Sequence, residues 1–566
     1  MIIGRVVAAE RLLKRWPLIA IGAVSLHLAF GVLGRGLWKP DEPREAAIAA
    51  RMARPGGDLA VPHLGDAPFC EKPPLYYWMA AGSVRLFGPG PVGVRLPNVI
   101  YALAGALLVG FLARAAAGRV AALGAGLLMG TFYLAYRVEI WIATDALLMM
   151  SVAGALFGCY RGLTADRGWP KFGWYTVMHA FLAVGFLTKN AVAWMVPALA
   201  LVVFVVWERR WRELVAWEIL TPLAVQMAVI VPWVVAVAAR PEGASFLRAF
   251  FFNNLVGRFT EVPGIGYTRS HPGSPGTYLL QLPILLLPWT LLMVSAAVAA
   301  WRRSRTGALG SAWRFAVAAI VPGLVVLSAA ATARDIYAAV VMPGFALLGG
   351  LWVEEAVSAR RRLDGTMTKA TSVLLGAVAI FLPPALLLGV LHLGAPAPAA
   401  PVVTLLAGWV VGTCLAVRSW LAARGGRLGS ALAGAVACWV VAWSCWAPLV
   451  FPLIDRAQDL GPVVRAAESI GAGHPLGLWQ PDETIVAAMD FEAGLTPRRI
   501  AGVPQLRECL AASPDLRLVA EATRAKSKEA GLALLLGRLG FTVVRRIDLP
   551  PPGGRSYVIL APPASP

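Results

Sequence analysis

The chain has 566 residues, of which 58% are hydrophobic and 14% charged, and its mean hydropathy is +0.67. A soluble protein of this size would need far more polar surface, so the composition excludes that class. The formal net charge of +20 does not indicate a nucleic-acid partner, because the basic residues cluster in short loops between apolar segments.

Apolar runs of roughly 18 or more residues recur along most of the chain, which predicts an all-α polytopic membrane protein. The first run, Trp16 to Leu33, is not followed by a small-residue cleavage site and is therefore expected to be a retained span. About thirteen transmembrane helices are predicted, at 16–34, 91–113, 119–136, 142–160, 173–188, 191–207, 216–238, 277–300, 313–331, 337–355, 371–393, 401–419 and 428–451.

The short loops between these spans differ in charge. One alternating set is rich in basic residues, among them Arg114 and Arg119, Arg302, Arg303 and Arg305, and Arg360, Arg361 and Arg362. The other set carries only Arg137, Lys189 and Arg334. Because positive loops stay inside, the N-terminus is predicted to be cytoplasmic.

This orientation places three longer segments on the outer, periplasmic face. They are a first loop at 35–90, a loop at 239–276 and a tail at 454–566. The tail has a different composition and is predicted to be a small α/β domain, separate from a transmembrane domain at 1–453. Its expected elements are helices at 461–470 and 526–539 and strands at 476–479, 541–544 and 557–560.

The first loop begins with Asp41-Glu42-Pro43-Arg44, followed by an alanine-rich stretch that ends before Gly56. Asp41 is a good helix cap and proline fits a first helical turn, so an interfacial helix is predicted here. One interpretation is a capped helix with solvated charges. In the other, Asp41 projects into a cavity and Arg44, one turn later, contacts a phosphate with its forked guanidinium.

The same loop ends with Glu71-Lys72-Pro73-Pro74 and an aromatic cluster typical of a membrane interface. A surface ion pair followed by an aromatic anchor would account for this pattern. The functional interpretation is that Lys72 neutralises a phosphate while Glu71 points elsewhere, towards a metal.

Further ionisable residues lie at the outer ends of predicted spans. Asp145 follows Arg137 and Glu139, Lys189 lies between the fifth and sixth spans, and Arg334 lies between the ninth and tenth. Ionisable groups at membrane depth are costly and are usually functional or paired. A structural pair of Asp145 with Arg137 is the alternative to convergence of these charges on one outward-facing cavity.

Together these motifs resemble a known family. The pattern W-x-x-DEPRE, then EKPPLYYW, then VRLPN is similar to the first outward loop of the GT-C integral-membrane glycosyltransferases, in the branch of bacterial aminoarabinose transferases and protein-mannosyltransferase-like enzymes. FLTKN at 186–190, NNLVGRF at 253–259 and RDIYAAVVMP at 334–343 extend the resemblance over nearly the whole chain.

The resemblance implies a GT-C fold with interfacial helices over a helical bundle and an active site on the periplasmic face. It implies catalytic carboxylates at Asp41 and Asp145, and contacts to the donor phosphate from Arg44 and Lys72. We expect Lys189 and Arg334 to join this phosphate site. The resemblance also implies a metal site, for zinc, at Glu71 and His271.

The implied activity is that of an inverting glycosyltransferase. The sugar would be 4-amino-4-deoxy-arabinose, another pentose or a hexose, carried on a polyprenyl phosphate, and the acceptor would be lipid A of lipopolysaccharide or another envelope glycolipid. Two alternatives stay open: an O-mannosyltransferase-like enzyme acting on Ser/Thr of exported proteins, and a transporter of lipid-linked sugars. The absence of an internal repeat disfavours the transporter.

Overall fold

A computed structural model describes residues 13–253, 273–359, 361–392, 398–523, 531–550 and 555–563. The chain divides into two compact units, which are described separately. The first comprises residues 1–33, 70–76 and 95–449, and the second comprises residues 34–69, 77–94 and 450–566.

The helices account for most of the described chain. They are α1 (Trp16–Leu33), α2 (Asp41–Ala53), α3 (Leu75–Phe87), α4 (Pro91–Ala117), α5 (Arg119–Met129), α6 (Tyr133–Ile140), α7 (Asp145–Thr164), α8 (Trp169–Lys189), α9 (Val192–Trp207), α10 (Trp217–Leu220), α11 (Leu223–Ala238), α12 (Gly243–Arg248), α13 (Thr277–Leu285), α14 (Thr290–Arg305), α15 (Ser311–Ala318), α16 (Val321–Ala329), α17 (Met342–Ala359), α18 (Arg362–His392), α19 (Ala399–Arg424), α20 (Leu428–Gln458), α21 (Gly461–Gly471), α22 (Glu483–Ala493) and α23 (Val503–Ala512). Short 3₁₀ segments are at Trp211–Val215 and Asp335–Val341, and short π segments at Ala249–Asn253 and Leu534–Arg538.

Helices lie at each of the thirteen predicted spans, but not all of these helices have the length and hydropathy expected of a membrane crossing. Over the described part of the chain nine helices do so, or eleven if each bent pair counts as one span. The bent pairs are α5 with α6, at 57°, and α13 with α14, at 119°. Two helices at predicted spans, α8 and α9, are outside this count, which rests on length and hydropathy alone, and α9 has only 16 residues. The prediction of a polytopic, mainly helical membrane protein is confirmed.

Within the first unit, α7 and α8 form the hairpin that positions the candidate site. Glycines on α7 allow this close approach, because a Cβ at Gly158 would lie 2.5 Å from the backbone nitrogen of Met178, and one at Gly154 would meet the ring of Phe181 at 2.5 Å. An antiparallel hairpin brings the first residue of one helix beside the last residue of the other. Here those residues are Asp145 and Lys189.

The second unit contains the first-loop helix α2 and the α/β tail. A five-stranded sheet has the order β4-β3-β5-β7-β6, with β3 (Leu476–Trp479), β4 (Arg498–Ile500), β5 (Arg517–Glu521), β6 (Thr542–Asp548) and β7 (Ser556–Ala561). Strand β3 is parallel to β4 and β5, whereas β7 is antiparallel to β5 and β6. A two-stranded hairpin, β1 (His63–Leu64) with β2 (Ala67–Pro68), lies in the first loop.

The tail is the small α/β domain that its composition predicts. Helix α21 and strands β3 and β7 match the expected positions, and the strand expected at 541–544 is part of the longer β6. Of the helix expected at 526–539, residues 524–530 lie outside the described residues, and the rest contains the π segment Leu534–Arg538. Helices α22 and α23 and strands β4 and β5 have no counterpart in the sequence-based prediction.

Candidate active site

A cavity of about 220 Å³ in the first unit collects four of the predicted site residues: Glu71, Lys72, Asp145 and Lys189. Most of the remaining lining is aliphatic, with Asn190, Thr332 and Tyr337 as additional polar side chains. The expected convergence is thus observed for Asp145 and Lys189, and Glu71 and Lys72 of the first loop line the same cavity.

The Asp145 carboxylate is paired inside this cavity. Lys189 Nζ donates to Asp145 Oδ1 at 2.6 Å, and the carboxylate is almost completely buried. Arg137 forms its ion pair with Asp335 instead, so the alternative pairing of Asp145 with Arg137 is not the one observed. The pair leaves Lys189 partly exposed to the cavity, with its Nζ 5.3 Å from the centre of the Tyr337 ring.

The end of α8 directs Lys189 to this place. The helix stops at Asn190, whose φ of 61° ends the helical path and whose side chain accepts a hydrogen bond from the backbone N–H of Val192. With a ψ of −160°, Asn190 has a backbone conformation that residues other than glycine rarely adopt. The sharp connection to α9 thereby holds Lys189 at the mouth of the hairpin.

Arg334 has a different environment. Its backbone carbonyl accepts a hydrogen bond from Tyr278 Oη at 3.1 Å, and the residue precedes the 3₁₀ segment Asp335–Val341. It is not among the residues that line the cavity. Tyr337, one turn further on, is a lining residue that the sequence analysis did not single out, although it lies in the RDIY motif.

The DEPRE motif belongs to the second unit and begins α2. Asp41 is the first residue of the helix, with Pro40 at the N-cap position and no side-chain capping bond, so the expected role of Asp41 as a cap is wrong. Its carboxylate instead accepts a hydrogen bond from Arg44 Nη2 at 3.0 Å. Asp41 is 6% exposed.

The two other acidic residues of the motif are fully buried. Glu42 receives both Nη atoms of Arg35 at 2.6 Å, together with the backbone N–H of Trp38 at 2.7 Å. This bidentate pair anchors the start of α2. Glu45 accepts a hydrogen bond from Tyr77 Oη at 2.6 Å and also bonds to Arg44. Asp41 and Glu45 therefore both orient the Arg44 side chain.

The predicted metal pair is only partly described. Glu71 lines the cavity, whereas His271 lies outside the described residues. Within the described ranges, no group of three or more His, Cys, Asp or Glu side chains is arranged to hold a metal ion. Zinc takes three or four protein ligands, so Glu71 alone does not make such a site. A zinc site at Glu71 and His271 stays a prediction, and no step of the chemistry below depends on it.

Comparisons with known proteins find similarity in sequence over part of the chain. Residues 71–235 match the family model described as dolichyl-phosphate-mannose-protein mannosyltransferase, and this segment contains all four charged cavity residues. Over 287 residues the chain is 33% identical to the undecaprenyl phosphate-alpha-4-amino-4-deoxy-L-arabinose arabinosyl transferase of Pseudomonas aeruginosa, covering 50% of this chain and 51% of that protein. The same enzyme of Edwardsiella ictaluri is 34% identical over 290 residues, covering 51% of this chain and 50% of the relative. The chain thus spans about half the length of the curated relatives it matches.

Solved structures share the fold over a longer range. The crystal structure of ArnT from Cupriavidus metallidurans bound to undecaprenyl phosphate has a TM-score of 0.70 at 21% identity, covering 97% of this chain and 98% of the other. An oligosaccharyltransferase from Archaeoglobus fulgidus has a TM-score of 0.50 at 10% identity, covering 92% and 71%. The chain thus shares its fold with these membrane proteins, and over about half of its length it is similar in sequence to the aminoarabinose transferases.

Proposed function

We propose that this protein is an inverting glycosyltransferase. It would move 4-amino-4-deoxy-arabinose, another pentose or a hexose from a polyprenyl-phosphate donor to lipid A or another envelope glycolipid at the periplasmic face. The single observation that carries the proposal is the cavity in which Lys72 and Lys189 face the same space as Asp145 and Glu71, within a membrane-spanning unit. The activity of the Pseudomonas and Edwardsiella relatives supports the choice of donor.

The two lysines can stabilise the negative charge that develops on a leaving phosphate. Breaking a sugar–phosphate bond leaves a phosphate-monoester dianion on the carrier lipid. Fixed ammonium groups stabilise such a developing charge best in a site that excludes water, where electrostatic interactions are strong. The aliphatic lining contributed by residues such as Leu148, Val326 and Leu327 supplies that low-dielectric environment.

Asp145 is a positioning group for one of these lysines. Its carboxylate is 2% exposed and holds Lys189 at 2.6 Å. Since a lysine side chain loses much rotamer freedom when it is fixed, a buried partner lowers the entropy cost of placing the ammonium at the phosphate. This differs from the directly catalytic role that the motif resemblance implies for Asp145.

The role of Asp41 depends on the acceptor. If the acceptor is a hydroxyl, Asp41 would take its proton as the oxygen attacks the anomeric carbon. If the acceptor is a phosphate of lipid A, no base is required and Asp41 would orient the reacting groups. Direct displacement in either case inverts the configuration of the anomeric carbon.

A protein acceptor is the second candidate. The match of residues 71–235 to the protein-mannosyltransferase family model favours it. The chemistry at the phosphate would be the same, and only the acceptor, a Ser or Thr hydroxyl of an exported protein, would differ. A hydroxyl acceptor requires a base, so this candidate demands the proton-accepting role of Asp41.

We also propose that the protein lies in the bacterial inner membrane with a cytoplasmic N-terminus and a periplasmic tail. Support comes from the arginine-rich short loops, such as the one with Arg302, Arg303 and Arg305 after α14. Cysteines introduced singly near Arg303 and in the tail would be labelled from opposite sides of the membrane. Labelling of both from the same side would contradict this topology.

The test of the activity is transfer by the purified full-length chain. We expect incubation with undecaprenyl-phosphate-linked aminoarabinose and lipid A to yield sugar-modified lipid A by mass spectrometry. The variant Asp41→Asn should keep donor binding and thermal stability while turnover falls strongly. Asp66→Asn, which changes an exposed carboxylate of the same loop, is the matched control and should behave as the wild type. Unmodified lipid A together with a newly glycosylated exported protein would favour the second candidate, and transport of donor without any product would exclude both.

A further inference from the structure

Helix α22 of the tail packs along the first-loop helix α2 and forms ion pairs at two points. Arg44 pairs with Glu483, and Arg51 and Arg54 pair with Asp490. The two acidic residues are seven positions apart, as are Arg44 and Arg51, which corresponds to about two helical turns. Both pairs therefore lie on facing sides of two helices that run in the same direction.

The two points of contact differ in burial. The Asp490 side chain is 0% exposed and receives Arg54 Nη2 at 2.7 Å. The Glu483 side chain is 49% exposed and receives Arg44 Nη1 at 2.7 Å. Opening a buried ion pair is costly, whereas an exposed pair contributes little to stability and opens readily. The Asp490 contact thus fixes α22 on α2, and the Glu483 contact can open without separating the helices.

Arg44 itself is surrounded by carboxylates. Its Nε and Nη2 atoms donate to Glu45, and Nη2 also bonds to Asp41. Nη1 donates to Glu483. A guanidinium binds a phosphate through two N–H groups in parallel. Because Glu45 is buried and Asp41 nearly so, the Nη1 side is the one that an incoming anion can reach, and Glu483 occupies it.

We infer that Glu483, contributed by the tail domain, occupies the position of the donor phosphate on Arg44 and is displaced when the polyprenyl-phosphate donor binds. This inference rests on the proposed function and on the contact between Arg44 and the donor phosphate that the DEPRE motif implies by its resemblance to the family. It assigns the α/β tail a part in donor binding. Asp490 keeps α2 and α22 together, while Glu483 neutralises Arg44 until a phosphate replaces it and again after the carrier leaves.

The inference predicts that Glu483→Gln binds the carrier more tightly than the wild type, because a competing anion is removed. With purified full-length protein in detergent and undecaprenyl phosphate as the probe, we expect Kd to fall about 2- to 5-fold, the range for loss of a half-exposed ion pair. The KM for the sugar-loaded donor should fall in parallel, with kcat changed less. Glu508→Gln removes a comparable exposed pair, with Arg498, from the same domain and should leave Kd unchanged.

A second comparison, in protein that lacks the Arg44 side chain, tests whether Glu483→Gln acts through Arg44. In an Arg44→Gln protein, adding Glu483→Gln should change Kd by no more than the Glu508→Gln control, since the group for which phosphate and carboxylate compete is absent. If the wild type binds undecaprenyl phosphate and Glu483→Gln binds it equally or more weakly, the inference is overturned and the proposed function stands. If the wild type does not bind undecaprenyl phosphate at all, both are overturned.

Discussion

Lys189 and Asp145 are joined by an ion pair of 2.6 Å at the end of the α7–α8 hairpin, and both line the same cavity. The carboxylate is almost completely buried, whereas the ammonium is partly exposed to the cavity. Because of this asymmetry, we expect Asp145 to position the Lys189 ammonium for contact with an anionic ligand.

The pairing predicts strongly non-additive kinetics. Lys189→Met should lower kcat/KM for the lipid-linked donor by about 10- to 100-fold, because a charge-assisted interaction with phosphate contributes about 1.5 to 3 kcal/mol. Asp145→Asn should cause a smaller loss, since it releases the ammonium without removing it. In the double variant the loss should not exceed that of Lys189→Met alone. Additive losses would show that Asp145 acts on the substrate by itself.

Lys72 provides a second prediction at the same cavity. Lys72→Met should raise the KM for the donor by about tenfold or more, and Lys72→Arg should recover part of the loss because it keeps the positive charge. The residual activity of Lys72→Met should also depend less on salt than that of the wild type. Lys369→Met, which replaces an exposed lysine of the same unit, is the control. An unchanged KM in Lys72→Met would remove this residue from the phosphate site.

The convergence of Asp145 and Lys189 could be predicted from the sequence because hydrophobic run lengths fix the helices, and charges at the outer ends of adjacent spans are necessarily close. The same reasoning does not give the form of every span. A run such as Val192–Trp207 is apolar enough but short, and the bends between α5 and α6 and between α13 and α14 depend on packing that run length does not encode.

The partners of the first-loop charges could not be predicted in this way. Glu483 follows Arg44 by 439 positions, and the Arg137–Asp335 pair spans 198 positions. Such contacts are set by the tertiary fold, and surface-like acidic residues such as Glu483 give no local signal. Within DEPRE, Asp41 and Arg44 pair at 3.0 Å; this contact was not predicted, although a spacing of three residues favours contact on one helical face.

A buried ion pair outside the cavity leads to a prediction about stability. Glu213 accepts hydrogen bonds from Lys171 Nζ and Tyr175 Oη, both at 2.5 Å, and both charged side chains are nearly buried. Glu213→Ala should lower the free energy of unfolding by about 3 to 5 kcal/mol, because it leaves Lys171 as an uncompensated buried charge. Thermal unfolding in detergent measures this. Replacing both residues together, as Lys171→Met with Glu213→Leu, should recover most of the loss, and failure to do so would assign the effect to lost packing.

The same carboxylate predicts a pH dependence. Burial by itself would raise the pKa of Glu213, but the hydrogen bonds from Lys171 and Tyr175 outweigh it, and the pKa lies below the usual 4.5. A carboxyl with a lowered pKa stabilises the folded state above its unfolded pKa, and this contribution is lost as the pH falls through the folded pKa. The difference in melting temperature between the wild type and Glu213→Gln should therefore be constant near neutral pH and shrink below about pH 4.5. A difference that grows on acidification would contradict the assignment.

Variants at the Asp490 contact distinguish a role of the tail domain in turnover from its contribution to the stability of the protein. Asp490 is fully buried, whereas the side chains of Arg51 and Arg54 are 34% and 42% exposed. Asp490→Ala leaves two arginines that water can solvate, so it should cost about 1 to 3 kcal/mol. Replacing both arginines by methionine leaves a buried carboxylate without its cations and should cost more, about 3 to 5 kcal/mol. Both variants loosen α22 from α2, so turnover should fall further than expected from the unfolded fraction measured by thermal melting. Turnover that follows the folded fraction alone would mean that the tail domain stabilises the protein without positioning α2.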